Sequence, residues 1–130
     1  MGLNEKRKIK ELQDTVIPAR TLELNEIFGG TAQYQIDWES FAADMEALNF
    51  FDNLACHRIN MALRSICVDD FTKEAVRDGL RVIALKNVKT KDELKMSFAG
   101  GVLEMSCAYG LRLDGIYNDN EIAKALTEGL

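Results

Sequence analysis

Cys56 and His57 stand side by side in residues 52–67, DNLACHRINMALRSIC, which hold the chain's only histidine and two of its three cysteines. Three chemistries use such residues: a thiolate activated by an imidazole, a zinc centre, or a disulfide. Helical geometry weighs on each. Neighbouring residues of an α-helix point about 100° apart, so Cys56 and His57 diverge, whereas catalytic Cys-His pairs converge from separate parts of a fold. Zinc takes several His or Cys ligands at short spacing, and one histidine among asparagines does not supply them. Eleven residues of helix separate Cys56 from Cys67 by about 16 Å, against the ~7 Å that a disulfide tolerates between Cα atoms. The segment YNDNE starts like a calcium loop but lacks its glycine and its distal glutamate. The expectation is no metal, no cofactor and no catalytic dyad.

A helical wheel with Leu48 at zero leaves a different constellation. Phe51, Ala55, Ile59, Ala62, Leu63 and Ile66 fall within about 60° of Leu48 and form a core face. His57 lies opposite, in a polar stripe with Glu46, Asn53, Asn60 and Arg64. A histidine flanked by amides and an arginine can hold a small anion or move a proton near neutral pH. These five residues are the candidate ligand-binding set. Beside them, Phe50, Leu54 and Met61 add a second apolar side, which a helix keeps when a further element or a second subunit covers it. They are the candidate interface.

The elements that must position these residues follow from periodicity. Residues 4–28 read as helix interrupted once, because Pro18 removes a backbone donor; this helical pair is expected to pack on a long central helix. Tyr34, Ile36 and Trp38 alternate with polar residues as in a half-buried strand. From Glu39 to about Val68 the pattern is helical, with a break near Asn49 and with Asp37 or Ser40 as cap. Asp69-Asp70 caps a short helix that Gly79 ends. LRVIALKNV, β-branched and without clean alternation, reads as an inner strand with both faces at least partly covered. Gly100-Gly101 form the centre of a hairpin turn that requires positive φ at both residues. That register sorts Leu94–Cys107, Met96–Met105 and Phe98–Leu103 onto one face, and the polar pairs Lys95–Ser106 and Ser97–Glu104 onto the other. Asn118 or Asn120 caps a last helix, docked by Ile122, Ala125 and Leu126. Four strands, near 32–38, 80–88, 93–99 and 102–109, give one α+β domain over residues 1–130. The expected architecture is a two-layer sandwich, a mainly antiparallel sheet with helices on one face.

The totals narrow the function. A chain of 130 residues suits one domain without staples. Three cysteines without a framework of spacings indicate a reducing compartment, and no signal or membrane segment is read, so the cytoplasm is expected. The net charge is −5, with +3 in the first ten residues and −8 in the remaining 120. That acidic body argues against nucleic acid, which needs clustered cations. The sequence therefore points to a non-catalytic protein-binding or regulatory module that self-associates, as a homodimer, and takes a protein partner. The alternative is a small-ligand-binding domain or enzyme using the stripe around His57.

Overall fold

The computed structural model describes residues 2–130. Helices α1 (Leu3–Glu11) and α2 (Ile17–Phe28) form one rod joined by a π turn over Leu12–Val16. The interruption expected at Pro18 is thus a local widening. Pro18, in the first turn of α2, cannot donate backward and its ring crowds the preceding turn; a π turn relieves both without breaking the rod. Gly29 ends α2 at φ 72°, the left-handed cap that costs glycine nothing.

Strand β1 (Gln33–Ile36) follows, then a 3-10 turn over Trp38–Phe41 that Asp37 caps. The helical run expected from Glu39 breaks at residues 42–44, not near Asn49. It restarts as α3 (Met45–Phe51), whose cap is Asp44, accepting from the Ala47 N–H at 3.0 Å. A second π turn, Asp52–Cys56, leads into α4 (His57–Ile66). Helix α5 (Asp70–Gly79) is capped by Asp69. Strands β2 (Val82–Asn87), β3 (Lys95–Ala99) and β4 (Val102–Cys107) precede a 3-10 segment at Tyr109–Gly115 and helix α6 (Asp119–Gly129), where Asn118 and Glu121 form a reciprocal capping box.

The sheet is mixed, which corrects the expectation of a mainly antiparallel one. Its order is β1-β2-β4-β3; β1 and β4 both run parallel to β2, and only β3–β4 is antiparallel. Parallel neighbours need a crossover, and α3 to α5 supply it between β1 and β2. Between β2 and β4, strand β3 swings to the outer edge and returns through the hairpin. That hairpin keeps the expected register, Phe98 opposite Leu103 and Met96 opposite Met105, with Gly100 and Gly101 at φ 61° and 82°.

One face of the sheet carries Tyr34, Ile83, Leu85, Leu103, Met105 and Cys107 into a core shared with the helices. The other carries Gln33, Gln35, Lys86, Lys95, Ser97 and Glu104 to solvent. Strand β2 is an inner strand with both faces at least partly covered, as expected: Ile83 and Leu85 are buried, Val82 and Ala84 are half-buried, and Lys86 is exposed. At one end of the core Phe41 stacks on Tyr109 at 5.8 Å and meets Phe51 edge-on at 5.1 Å, fastening the Tyr109–Gly115 segment to α3.

Candidate functional site

The second π turn governs everything on the α3–α4 rod. A π turn adds about one residue to the helix, so positions beyond it lag an ideal wheel by about 100°. The lag carries Cys56 and Asn60 to within about 20° of Leu48, the centre of the core face. Asn60 is accordingly 1% exposed. A buried amide must be satisfied, and Asn60 is. Its Nδ2 donates to Glu23 Oε1 at 2.6 Å and to the Arg20 carbonyl at 3.2 Å, while its Oδ1 accepts from the Tyr34 hydroxyl at 2.6 Å.

Around this amide a polar latch closes. Arg20 grips Asp52 with two donors, Nε to Oδ1 at 2.7 Å and Nη2 to Oδ2 at 3.1 Å, and reaches Glu23 Oε1 with Nη1 at 3.0 Å. The latch ties α2, the π turn, α4 and β1 together. The hydrogen bond from Asn60, reinforced by Arg20, holds the Glu23 carboxyl below the usual carboxylate range. Burial keeps the Tyr34 hydroxyl protonated far above its ordinary range, so it remains a donor. Every member has a partner within the chain, which makes the cluster a fastening between elements.

The predicted stripe is thereby divided. Asn60 leaves the surface, whereas His57, Asn53, Glu46 and Arg64 are exposed. Glu46 and Arg64 do not meet: Glu46 pairs with Arg112 at 3.6 Å and Arg64 lies 3.8 Å from Glu23. His57 lines none of four surface clefts of about 230 to 350 Å³. The second apolar side is divided as well. Leu54 is buried in the core, Phe50 is half-buried beneath the Arg112 guanidinium 4.4 Å above its ring, and Met61 is exposed. The chain itself covers most of what was read as an interface.

The cysteines are all free and buried. Burial raises each thiol, Cys107 up to about 11, which suppresses thiolate formation. No group of three or more His, Cys, Asp or Glu side chains is placed to hold a metal among the described residues.

Two features escaped the sequence reading. At the carboxyl ends of the parallel strands two clefts of about 350 Å³ share Asp44, Val88 and Lys89. Asn87 lines one of them, donating from Nδ2 to the Ser40 carbonyl and to Asp44 Oδ2, both at 3.1 Å; its buried Oδ1 has no partner among the described residues. Clefts at this end of parallel strands depend on strand direction, which local pattern does not encode.

The second feature is an apolar shelf where α4, α5 and α6 meet. Phe71 is 82% exposed and Val68, in the preceding turn, 76%. Phe71 borders a cleft of about 230 Å³ walled by Ile66, Ala75 and Leu130. On the α5 wheel Ala75 lies about 40° from Phe71, with Asp78, Glu74 and Asp70 between about 20° and 100° on the other side. All three acids are exposed. Buried Val76 lies about 140° away from Phe71. The signal was in the sequence: Phe71 and Val76, five apart, cannot share a helix face.

A comparison of the chain with protein-family models, curated proteins and solved structures finds no match.

Proposed function

We propose that the protein is a protein-binding or regulatory module that self-associates, with the α4–α5–α6 shelf as its contact surface. The observation that carries this reading is Phe71, presented to solvent beside an apolar cleft with Val68 close by in the chain. Scattered exposed apolar side chains are ordinary, but a bulky aromatic grouped with others around a cleft marks a contact site. Sedimentation velocity between about 5 and 500 µM, a range centred on micromolar association, tests it. The expected result is a sedimentation coefficient that rises with concentration in the wild type and stays at the monomer value in Phe71→Ser, with unchanged circular dichroism. A wild type that remains monomeric throughout refutes self-association.

A second reading places a small ligand in the clefts at the carboxyl ends of β2 and β4, the end where open parallel sheets take ligands. The unpartnered Asn87 Oδ1 favours it. A metabolite thermal-shift screen in which Asn87→Ala abolishes a stabilising hit supports this reading; a screen without any hit removes it.

A further inference from the structure

The exposed face of α1 is the counterpart of the shelf in pattern and opposite to it in charge. Leu3, Lys6, Arg7 and Lys10 stand at i, i+3, i+4 and i+7, within about 60° of Leu3 on the wheel. All four are exposed, and Leu3 is 61% so. Buried Ile9 lies about 120° away and anchors the other side of the helix. On α5 the same four spacings hold Phe71, Glu74, Ala75 and Asp78. One helix therefore offers an apolar side chain with three cations. The other offers an aromatic and an alanine with two acids, and a third acid, Asp70, lies alongside.

The remaining charges do not blur this contrast. Among the described residues Lys6 and Arg7 form no ion pair, and Lys10 has only an exposed partner, Asp14 at 2.9 Å. On α5, Arg77 turns away toward the Phe28 carbonyl at 3.3 Å, and Lys73 lies about 160° from Phe71.

Within one chain the two faces cannot meet. Leu3 and Phe28 lie at opposite ends of the α1–α2 rod, about 35 Å apart at 1.5 Å per residue. Helix α5 sits at the Phe28 end, held by Arg77. A two-fold contact of shelf with shelf is equally unfavourable, because it sets Glu74 and Asp78 against their own copies.

We infer that the shelf of one copy receives α1 of a second copy, Leu3 packing beside Phe71 while Lys6, Arg7 and Lys10 face Glu74, Asp78 and Asp70. This rests on the proposed self-association and names its occupant and its mode. The contact joins two different surfaces: formed reciprocally by two copies it closes as a two-fold dimer, and formed head to tail it gives a ring or an open chain. It is small and charge-rich, and salt weakens it.

Charge reversal in the full-length chain tests it by sedimentation velocity at low salt. Three variants are compared: an arm variant (Lys6→Glu, Arg7→Glu, Lys10→Glu), a shelf variant (Glu74→Lys, Asp78→Lys), and one chain carrying all five changes. Each partial reversal sets like charges together and is expected to weaken association by about tenfold or more. The combined reversal restores opposite signs and is expected to recover it. Among the described residues all the changed side chains except Lys10 lack ion pairs, so circular dichroism should match the wild type. If Phe71→Ser abolishes association but the arm variant associates as the wild type does, or the combined variant stays monomeric, this occupant is overturned while the shelf remains a contact site. A wild type that does not associate overturns both.

Discussion

Asn60 and His57 stand three residues apart on α4, both polar and both once assigned to a single stripe, yet one is sealed in the core and the other bathes in solvent. Asn60 joins a latch in which each donor meets an acceptor: Arg20 on Asp52, Asn60 on Glu23, Tyr34 on Asn60. His57 takes part in none of its bonds. Helical phase, not polarity, separates the two residues. The π turn at Asp52–Cys56 rotates the following helix by about one residue and selects which amide is buried. A motif read off an ideal wheel is only as good as the regularity of the helix beneath it.

The sharpest way to break this contrast is to add a residue beyond the π turn. An alanine inserted between His57 and Arg58 turns the rest of α4 by about 100°, carrying Asn60 from the core face to about 120° and dissolving the latch. The cost should exceed about 5 kcal/mol, beyond the range of ordinary single substitutions. Collapse of amide dispersion in an NMR spectrum is the expected readout; a well-dispersed spectrum would show that the phase is set elsewhere.

Point substitution gives a smaller but cleaner comparison. Asn60→Ala leaves the buried Tyr34 hydroxyl only its long contact to the Cys56 carbonyl at 3.4 Å and removes one partner of Glu23, which should cost about 2–4 kcal/mol in urea denaturation. His57→Ala should stay within about 0.5 kcal/mol of the wild type, as exposed substitutions do. Equal effects at the two positions would remove the distinction between latch and surface.

The smallest effect is a pH dependence. Because Asn60 and Arg20 hold the folded Glu23 carboxyl below its unfolded value near 4.5, its stabilisation is present above that pH and is lost as pH falls through the lower folded value. Wild type should therefore exceed Glu23→Gln in stability at neutral pH, with the gap closing in acid. A gap that is constant from neutral pH down to pH 3, the acid end of the range in which carboxylates titrate, would mean that Glu23 acts only as a neutral hydrogen-bond acceptor.

Legibility varied with how local the cause was. The hairpin register was readable because Gly100-Gly101 and the flanking alternation determine it within a dozen residues. The caps at Asp69 and Asn118 were readable for the same reason. The sheet's mixed order was not, since Tyr34 and Ile83 look alike whether their strands run parallel or antiparallel. Nor was the cover over Phe50 and Leu54: an apolar second side signals a neighbour but does not say whether the chain supplies it. Here it does, through Arg112 in the case of Phe50. The shelf could have been read, because Phe71 and Val76 fall on different faces of one short helix.

Taken alone, the sequence determined what short-range sterics and hydrogen bonds dictate: the turns, the caps, the hairpin and the alternation of its strands. It also set the opposed charge patterns of α1 and α5, since spacing and charge are local properties. Only the tertiary structure decided strand direction, the phase of α4 past its π turn, and which polar residues became a latch. Those outcomes depend on groups such as Arg20, Tyr34 and Asn60, which come from three elements and can satisfy one another only once the core has brought them together.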